Sequence, residues 1–269
     1  MRREYATGAR DSVCNSAGNL ILSRQYKEAA NLLNALLNTN PQDPIALYML
    51  GLTYLHSDKD GLASILFNAG IDCLDLKNEK GEFVYSDDWF AKNVEGGPAI
   101  DIQTTTKAAM PYKGPVNRAR FLSTAWNNIG IACKNMHFIE QAEASFRAAI
   151  DTGAPPAEVL ANWSGCYVNE GRPDQAIALT DAALKADPFN DLAHWHRGLA
   201  LLEKEKWEEG WVGYDKHLRS KGQIGRNYWF DGQTPGWMGD PDQTVVVHGE
   251  QGLGDEIMFQ GQPYTLHGM

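Results

Sequence analysis

The chain has 269 residues, 43% hydrophobic and 22% charged, the balance of a soluble globular protein of one or two domains. Its formal net charge of −10 opposes binding to a nucleic-acid phosphate backbone, and it holds no run of eighteen or more apolar residues able to cross a membrane. The polar start, Met1 to Ser12, lacks the apolar stretch of a secretory signal, so a cytoplasmic location is expected.

From the N-terminus, a first unit opens at Arg10, with Leu20, Ala29, Leu33, Leu36 and Pro41 at set offsets. Pro44 opens a second, Leu47-x-x-Leu50-Gly51-x-x-Tyr54 followed by Ala63, Phe67 and Gly70, displaced by 34 residues from the first. Residues 78–116 break the pattern with Gly81, Gly96, Gly97, Pro98, Pro111, Gly114 and Pro115, and are expected to be an inserted surface loop. Within it, Asp87, Asp88, Trp89 and Phe90 show no helical period, and two adjacent carboxylates without further ligands do not make a metal site. The frame returns at Ser123 with Trp126, Ile129, Gly130, Ala142, Phe146 and Ala149. It continues at Ala157 with Leu160, Tyr167, Ala176, Ala183 and Pro188, and at Asp191 with Gly198, Leu201, Gly210 and Tyr214.

Small residues at the eighth and twentieth positions let two antiparallel helices approach closely, while the large ones fill the space between hairpins. In the fourth unit, 157–169 and 173–186 carry apolar residues at helical spacing, separated by Gly171 and Pro173 as stop and start signals. The spacing is that of a tetratricopeptide unit, and the chain resembles such arrays. The expected fold is an all-α, right-handed solenoid of about five helical hairpins, repeats 1 and 2 over 10–77 and repeats 3 to 5 over 117–221. One hairpin cannot bury its own apolar face, and stacking creates a concave side that suits a protein or extended peptide as partner.

In such arrays the first helix of each hairpin lines the concave face. The sixth positions of the five units read Asn15, Met49, Asn128, Asn162 and His196, and Asn135 and Asn169 follow two turns later in the third and fourth. An amide offers both a donor and an acceptor, so a row of asparagines can hold a peptide backbone whatever its side chains. The row resembles the asparagine ladder of the O-linked N-acetylglucosamine transferase family, which holds the acceptor polypeptide. The plain alternative is that asparagine suits an exposed helix position. His194, Trp195 and His196 point in different directions on a helix and are expected to pack, not to bind metal. Trp207, Trp211 and Tyr214, at i, i+4 and i+7, read as core or capping surface. Cys14, Cys73, Cys133 and Cys166 form no metal-binding spacing and are expected to be reduced, buried thiols; neither a metal nor a cofactor is expected.

Beyond the repeats, 222–243 reads as a glycine- and proline-rich linker holding Trp229 and Trp237, and Thr244 to His248 as a buried strand. Gly249-Glu250-Gln251-Gly252-Leu253-Gly254-Asp255 and the apolar Ile257-Met258-Phe259 then make a strand, a glycine turn and a helix start. This stretch, with Trp207-Glu208-Glu209-Gly210-Trp211 before it, resembles the opening of bacterial and phage tetratricopeptide–glycosyltransferase fusions and, more distantly, the heptosyltransferase family. The resemblance implies a role as base for Asp255 and an anion- or sugar-binding loop at Glu250, Gln251, Gly252 and Gly254. Ten residues after Phe259 cannot supply a second lobe, so 244–269 is expected to be a truncated glycosyltransferase-like fragment. The expected function is therefore a binding scaffold without chemistry of its own. The alternative is the acceptor-recognition portion of a glycosyltransferase, and only then is a nucleotide sugar a ligand.

Overall fold

The computed structural model describes residues 7–93 and 117–220. Among them the elements are α1 (Thr7–Leu22), α2 (Tyr26–Leu37), α3 (Pro44–Leu55), α4 (Asp60–Cys73), α5 (Asp87–Asn93), α6 (Arg118–Asn135), α7 (Ile139–Asp151), α8 (Pro156–Asn169), α9 (Pro173–Ala186), α10 (Asp191–Glu203) and α11 (Trp207–Ser220). Apart from one isolated bridge between Lys77 and Phe83, no extended pairing occurs among the described residues. The five expected hairpins are α1–α2, α3–α4, α6–α7, α8–α9 and α10–α11, in one compact unit that runs from Met1 to His217. The expected linker at 222–243 and the strand–loop–helix at 244–269 lie outside the described residues.

One turn closes all five hairpins. The fifteenth residue of each unit is left-handed: Arg24, Asp58, His137, Gly171 and Glu205, with φ between 58° and 63°. The next N–H reaches back to the carbonyl of the eleventh residue, as in Gln25 to Leu20 at 2.8 Å and Lys206 to Leu201 at 2.9 Å. This is the Schellman closure, which satisfies the carbonyls that a helix end leaves free. Four of the five turns make it without glycine, at a local steric cost of roughly 1 kcal/mol each.

Packing within the hairpins follows the eighth-position rule. A methyl group on Gly51 would stand 2.7 Å from the Phe67 ring, and one on Gly130 would stand 2.6 Å from the Phe146 ring. Each phenylalanine, fully buried, lies directly on the opposing backbone. In the fifth hairpin the contact is backbone on backbone, since a methyl on Gly198 would meet the Tyr214 nitrogen at 2.7 Å and the Gly210 carbonyl at 2.9 Å. Asp43 caps α3 by accepting from the N–H groups of Ile45 and Ala46, both at 3.0 Å, and Asn117 and Asn190 cap α6 and α10 in the same manner.

The stack crosses the insertion without a gap. Helix α4 packs on α6 as α2 packs on α3 and α9 on α10. The described part of the insertion corrects the expectation of a surface loop over 78–93. Asn78 Oδ1 accepts from the N–H groups of Lys80 and Glu82, forming a tight turn at Gly81, and Asp87 to Phe90, expected to be non-helical, begin α5. Phe90 is fully buried against Phe121, with ring centroids 5.8 Å apart. Trp89 meets Tyr85 edge-on at 4.7 Å and carries the Arg10 guanidinium over its face at 5.0 Å. Seven residues are too few to display a helical period, and their partner is a part of α6 that begins five residues ahead of the repeat frame. Arg118 fastens this segment: its N–H donates to Asp87 Oδ1 at 3.0 Å, its guanidinium donates to Asp75 at 2.9 Å, and it covers the Phe83 ring.

Candidate peptide-binding face

The first helices of successive hairpins stack on one another, and their burial defines a face. On α10, Leu192, Trp195, Leu199 and Leu202 fall at i, i+3, i+7 and i+10 and are all half-buried, Leu202 lying on Gly210 of α11, while Ala193, His196, Ala200 and Leu201 are buried where α10 packs on α8 and α9. The same second, fifth, ninth and twelfth positions hold Glu158, Ala161, Gly165 and Val168 on α8, and Thr124, Asn127, Ile131 and Lys134 on α6. On α3 they hold Ile45, Tyr48, Leu52 and Leu55, none more than 6% exposed. All four positions are half-buried at α10; at α6 and α8 only the second and twelfth are, with Asn127, Ile131, Ala161 and Gly165 buried; at α3 all four are closed.

The sixth-position ladder lies beside this face and looks inward. Asn128 is 4% exposed and donates Nδ2–H to the Tyr48 hydroxyl at 2.9 Å; Asn162 is 2% exposed and donates to Asn127 Oδ1 at 3.2 Å. His196, also buried, sits 2.9 Å through Nδ1 from the Ala161 carbonyl, which only accepts, so Nδ1 carries the proton. The same nitrogen is 2.9 Å from Ser164 Oγ. A single rule covers all three: the sixth residue of one unit bonds to the fifth residue of the unit before it. These side chains stitch hairpin to hairpin and cannot present their amides to a ligand while so buried, which corrects the expectation that they line the groove. Met49 makes the corresponding junction apolar, fully buried against α1.

The remaining expected residues differ. Asn15 is half-buried, and Asn135 and Asn169 are exposed at the ends of α6 and α8. Asn135 donates to Asp60 Oδ1 at 2.9 Å. Lys134, which the ladder argument passed over, lies with its stem across α8: a methyl on Gly165 would stand 3.4 Å from Lys134 Cδ and 2.9 Å from the His196 ring. Its amine makes no ion pair or hydrogen bond with a described residue, and burial lowers its pKa, while Asp60 and Cys166 act in the opposite sense. Burial raises the carboxyl of Glu158 on the neighbouring helix. Reading the second, fifth, ninth and twelfth positions down the frame, in place of the sixth, would have found Lys134 and the α10 stripe.

The other candidates are structural. All four cysteines are buried and free, and burial pushes the Cys14 and Cys166 thiols up to about 12, so neither supplies a thiolate near neutrality. His194 Nε2 lies 3.0 Å from the Pro188 carbonyl, whereas His196 Nδ1 meets the Ala161 carbonyl. No group of three His, Cys, Asp or Glu side chains with metal-binding geometry occurs among the described residues. Trp207 and Trp211 are 56% and 55% exposed on α11, and Trp211 packs edge-on against Tyr214 at 5.5 Å. No described helix is long and apolar enough to cross a membrane. Asp255 and the loop of Glu250, Gln251, Gly252 and Gly254 lie outside the described residues.

The tetratricopeptide repeat family model matches residues 23–73 and 167–210, which fall in the first two and last two of the five units. Among solved structures, one described as a functional characterisation of PilF from Pseudomonas aeruginosa matches at 14% identity and a TM-score of 0.53, over 79% of this chain and 76% of that one. A double mutant of MamA RS-1 matches at 12% identity and a TM-score of 0.50, over 80% of this chain and 94% of that one. No curated protein matches the sequence. These likenesses establish the fold, an all-helical tetratricopeptide-type solenoid.

Proposed function

We propose that this tetratricopeptide-type solenoid binds an extended segment of another polypeptide along the face of α6, α8 and α10. The observation that carries the reading is the difference in closure along the stack. Three consecutive first helices leave their second and twelfth positions partly open, with polar Thr124, Lys134 and Glu158 alongside apolar Val168, Leu192 and Leu202. A strip with both kinds of group suits a peptide, whose backbone needs hydrogen-bond partners and whose side chains bring apolar area. Asn135 and Asn169 extend the strip at one end and offer amides at solvent-exposed positions. Asn128, Asn162 and His196 serve it indirectly, by fixing the spacing of the three helices.

The test is a peptide-array screen with the purified chain, followed by titration calorimetry of the best binders. Binding that is weakened by Leu199→Ser and Asn169→Ala, with helicity unchanged, supports the reading. Absence of any peptide binding overturns it. Calorimetry against UDP-sugars and ADP-heptose belongs in the same experiment, since heat there would favour the acceptor-recognition reading drawn from the sequence around Asp255.

A further inference from the structure

Trp207 and Trp211 stand more than half exposed on α11, and the contacts inside the stack show what fits them. Neighbouring hairpins touch at fixed positions of the repeat frame. The seventeenth residue of one unit meets the thirteenth of the next: Tyr26 stacks on His56 with ring centroids 6.3 Å apart, and Asp60 accepts from Asn135 at 2.9 Å. The twenty-first meets the eleventh where Tyr167 donates to Glu143 Oε1. The eighteenth meets the fourteenth where Lys204 pairs with Asp174. On α11 these outward positions hold Trp207 as the seventeenth, exposed Glu208 as the eighteenth and Trp211 as the twenty-first. At the other end of the stack, α1 carries half-buried Leu20 as the eleventh and Leu22, 68% exposed, as the thirteenth, with exposed Arg24 two residues on.

We infer that α11 of one copy is a docking surface for α1 of a second copy, joined head to tail by the junction that joins the hairpins within the chain. In that register Trp207 falls on Leu22, Trp211 falls on Leu20, and Glu208 falls beside Arg24. Two aromatic–aliphatic pairs and one pair of opposite charges thus coincide at positions already used for contact inside the stack. Pairing α11 with α11 has no such match, since it sets Glu208 and Glu209 against their own copies. The junction uses two different surfaces, so each added copy leaves one of each kind for the next, and assembly does not stop at two. It is independent of peptide binding on the face of α6, α8 and α10.

The test is sedimentation velocity of the full chain over a concentration series, at physiological ionic strength so that repulsion between distant charges of the −10 chains is screened. The expected result is an average mass that rises with concentration past that of two copies. Trp211→Glu blocks the α11 end and Leu22→Glu blocks the α1 end, and each alone is expected to weaken self-association by about tenfold or more. Mixed together, the two variants are expected to form a one-to-one pair and nothing larger, because one keeps a sound α1 end and the other a sound α11 end. A mass that stays at one copy throughout, as when another part of the chain covers α11, overturns the inference. Self-association lost in Trp211→Glu but kept in Leu22→Glu identifies α11-on-α11 pairing and overturns the head-to-tail register. Association untouched by either variant, or no pair in the mixture, overturns it as well. Both side chains are exposed, and circular dichroism with melting of each variant confirms that lost association is not lost fold.

Discussion

Helices α3 and α10 occupy the same place in their hairpins, and at four equivalent positions both carry large apolar side chains. On α3 these are Ile45, Tyr48, Leu52 and Leu55, all buried; on α10 they are Leu192, Trp195, Leu199 and Leu202, all half-buried. The repeat frame assigns a position to each residue, but the surroundings decide whether that position is core or surface. Tyr48 packs against Phe67 and Phe121, and Phe121 in turn packs against Phe90 from the insertion, so an aromatic chain links the interior of the second hairpin to the segment outside the frame. On α10, Leu202 packs on the Gly210 backbone of α11, while Leu199 stays half-buried.

The sharpest way to break this comparison is to truncate both faces. Tyr48→Ala is expected to cost about 3–5 kcal/mol in urea unfolding, the range for a large buried aromatic, and Leu199→Ala no more than about 1.5 kcal/mol. Equal losses would show that α10 is as enclosed as α3. Next in size is Gly198→Ala, whose added methyl meets backbone atoms of α11 that cannot turn aside; a loss of about 1–3 kcal/mol is expected by thermal melting. Asn162→Ala removes the amide stitch and leaves Asn127 Oδ1 buried without that donor, at about 1–3 kcal/mol, whereas Asn169→Ala on the exposed end of α8 should stay within about 0.5 kcal/mol. A stitch variant without cost would return Asn162 to the ligand ladder.

Two smaller effects probe the closed half and the turns. His56 ends α3 with Nε2 buried and unpartnered, stacked on Tyr26, and burial lowers its pKa below the ordinary 6.5. The unfolded chain therefore takes up the proton first. Stability is full above pH 6.5, falls as the pH drops from there toward the folded pKa, and levels off below it. His56→Phe should flatten that part of a stability-versus-pH curve measured by denaturant melts; an unchanged slope would place the acid sensitivity elsewhere. Asp58→Gly and Glu205→Gly relieve left-handed strain in two of the five closures, with an expected gain of up to about 1 kcal/mol each after the glycine's extra unfolded-state entropy is subtracted.

The parts of this molecule legible in the sequence are those where one residue type serves one contact. Glycine at the eighth position and phenylalanine at the twenty-fourth announce the hairpin crossing, because only glycine lets a ring lie on the backbone. The closures were less legible: Arg24, Asp58, His137 and Glu205 share a conformation but no chemistry, and only the fourth unit marks it with a glycine. Helix α5 left no periodic signal, since Trp89 and Phe90 are adjacent and face different partners. The asparagines of the sixth position were legible as a row but not in their direction. A side chain's identity fixes what it can bond, and the neighbouring unit fixes whether that bond is spent inside the protein.

The Arg118 clasp has a consequence for how this chain tolerates change. Asp75, at the exit from the second hairpin, and Asp87, in the inserted segment, are both tied to the first residue of α6. One residue thus ties the exit of the second hairpin and the start of α5 to the start of α6, and these bonds help to hold the register of α4 on α6. Changes in the length of residues 94–116 are therefore expected to leave the packing of α4 on α6 as it is, a matter for thermal melting of loop-length variants.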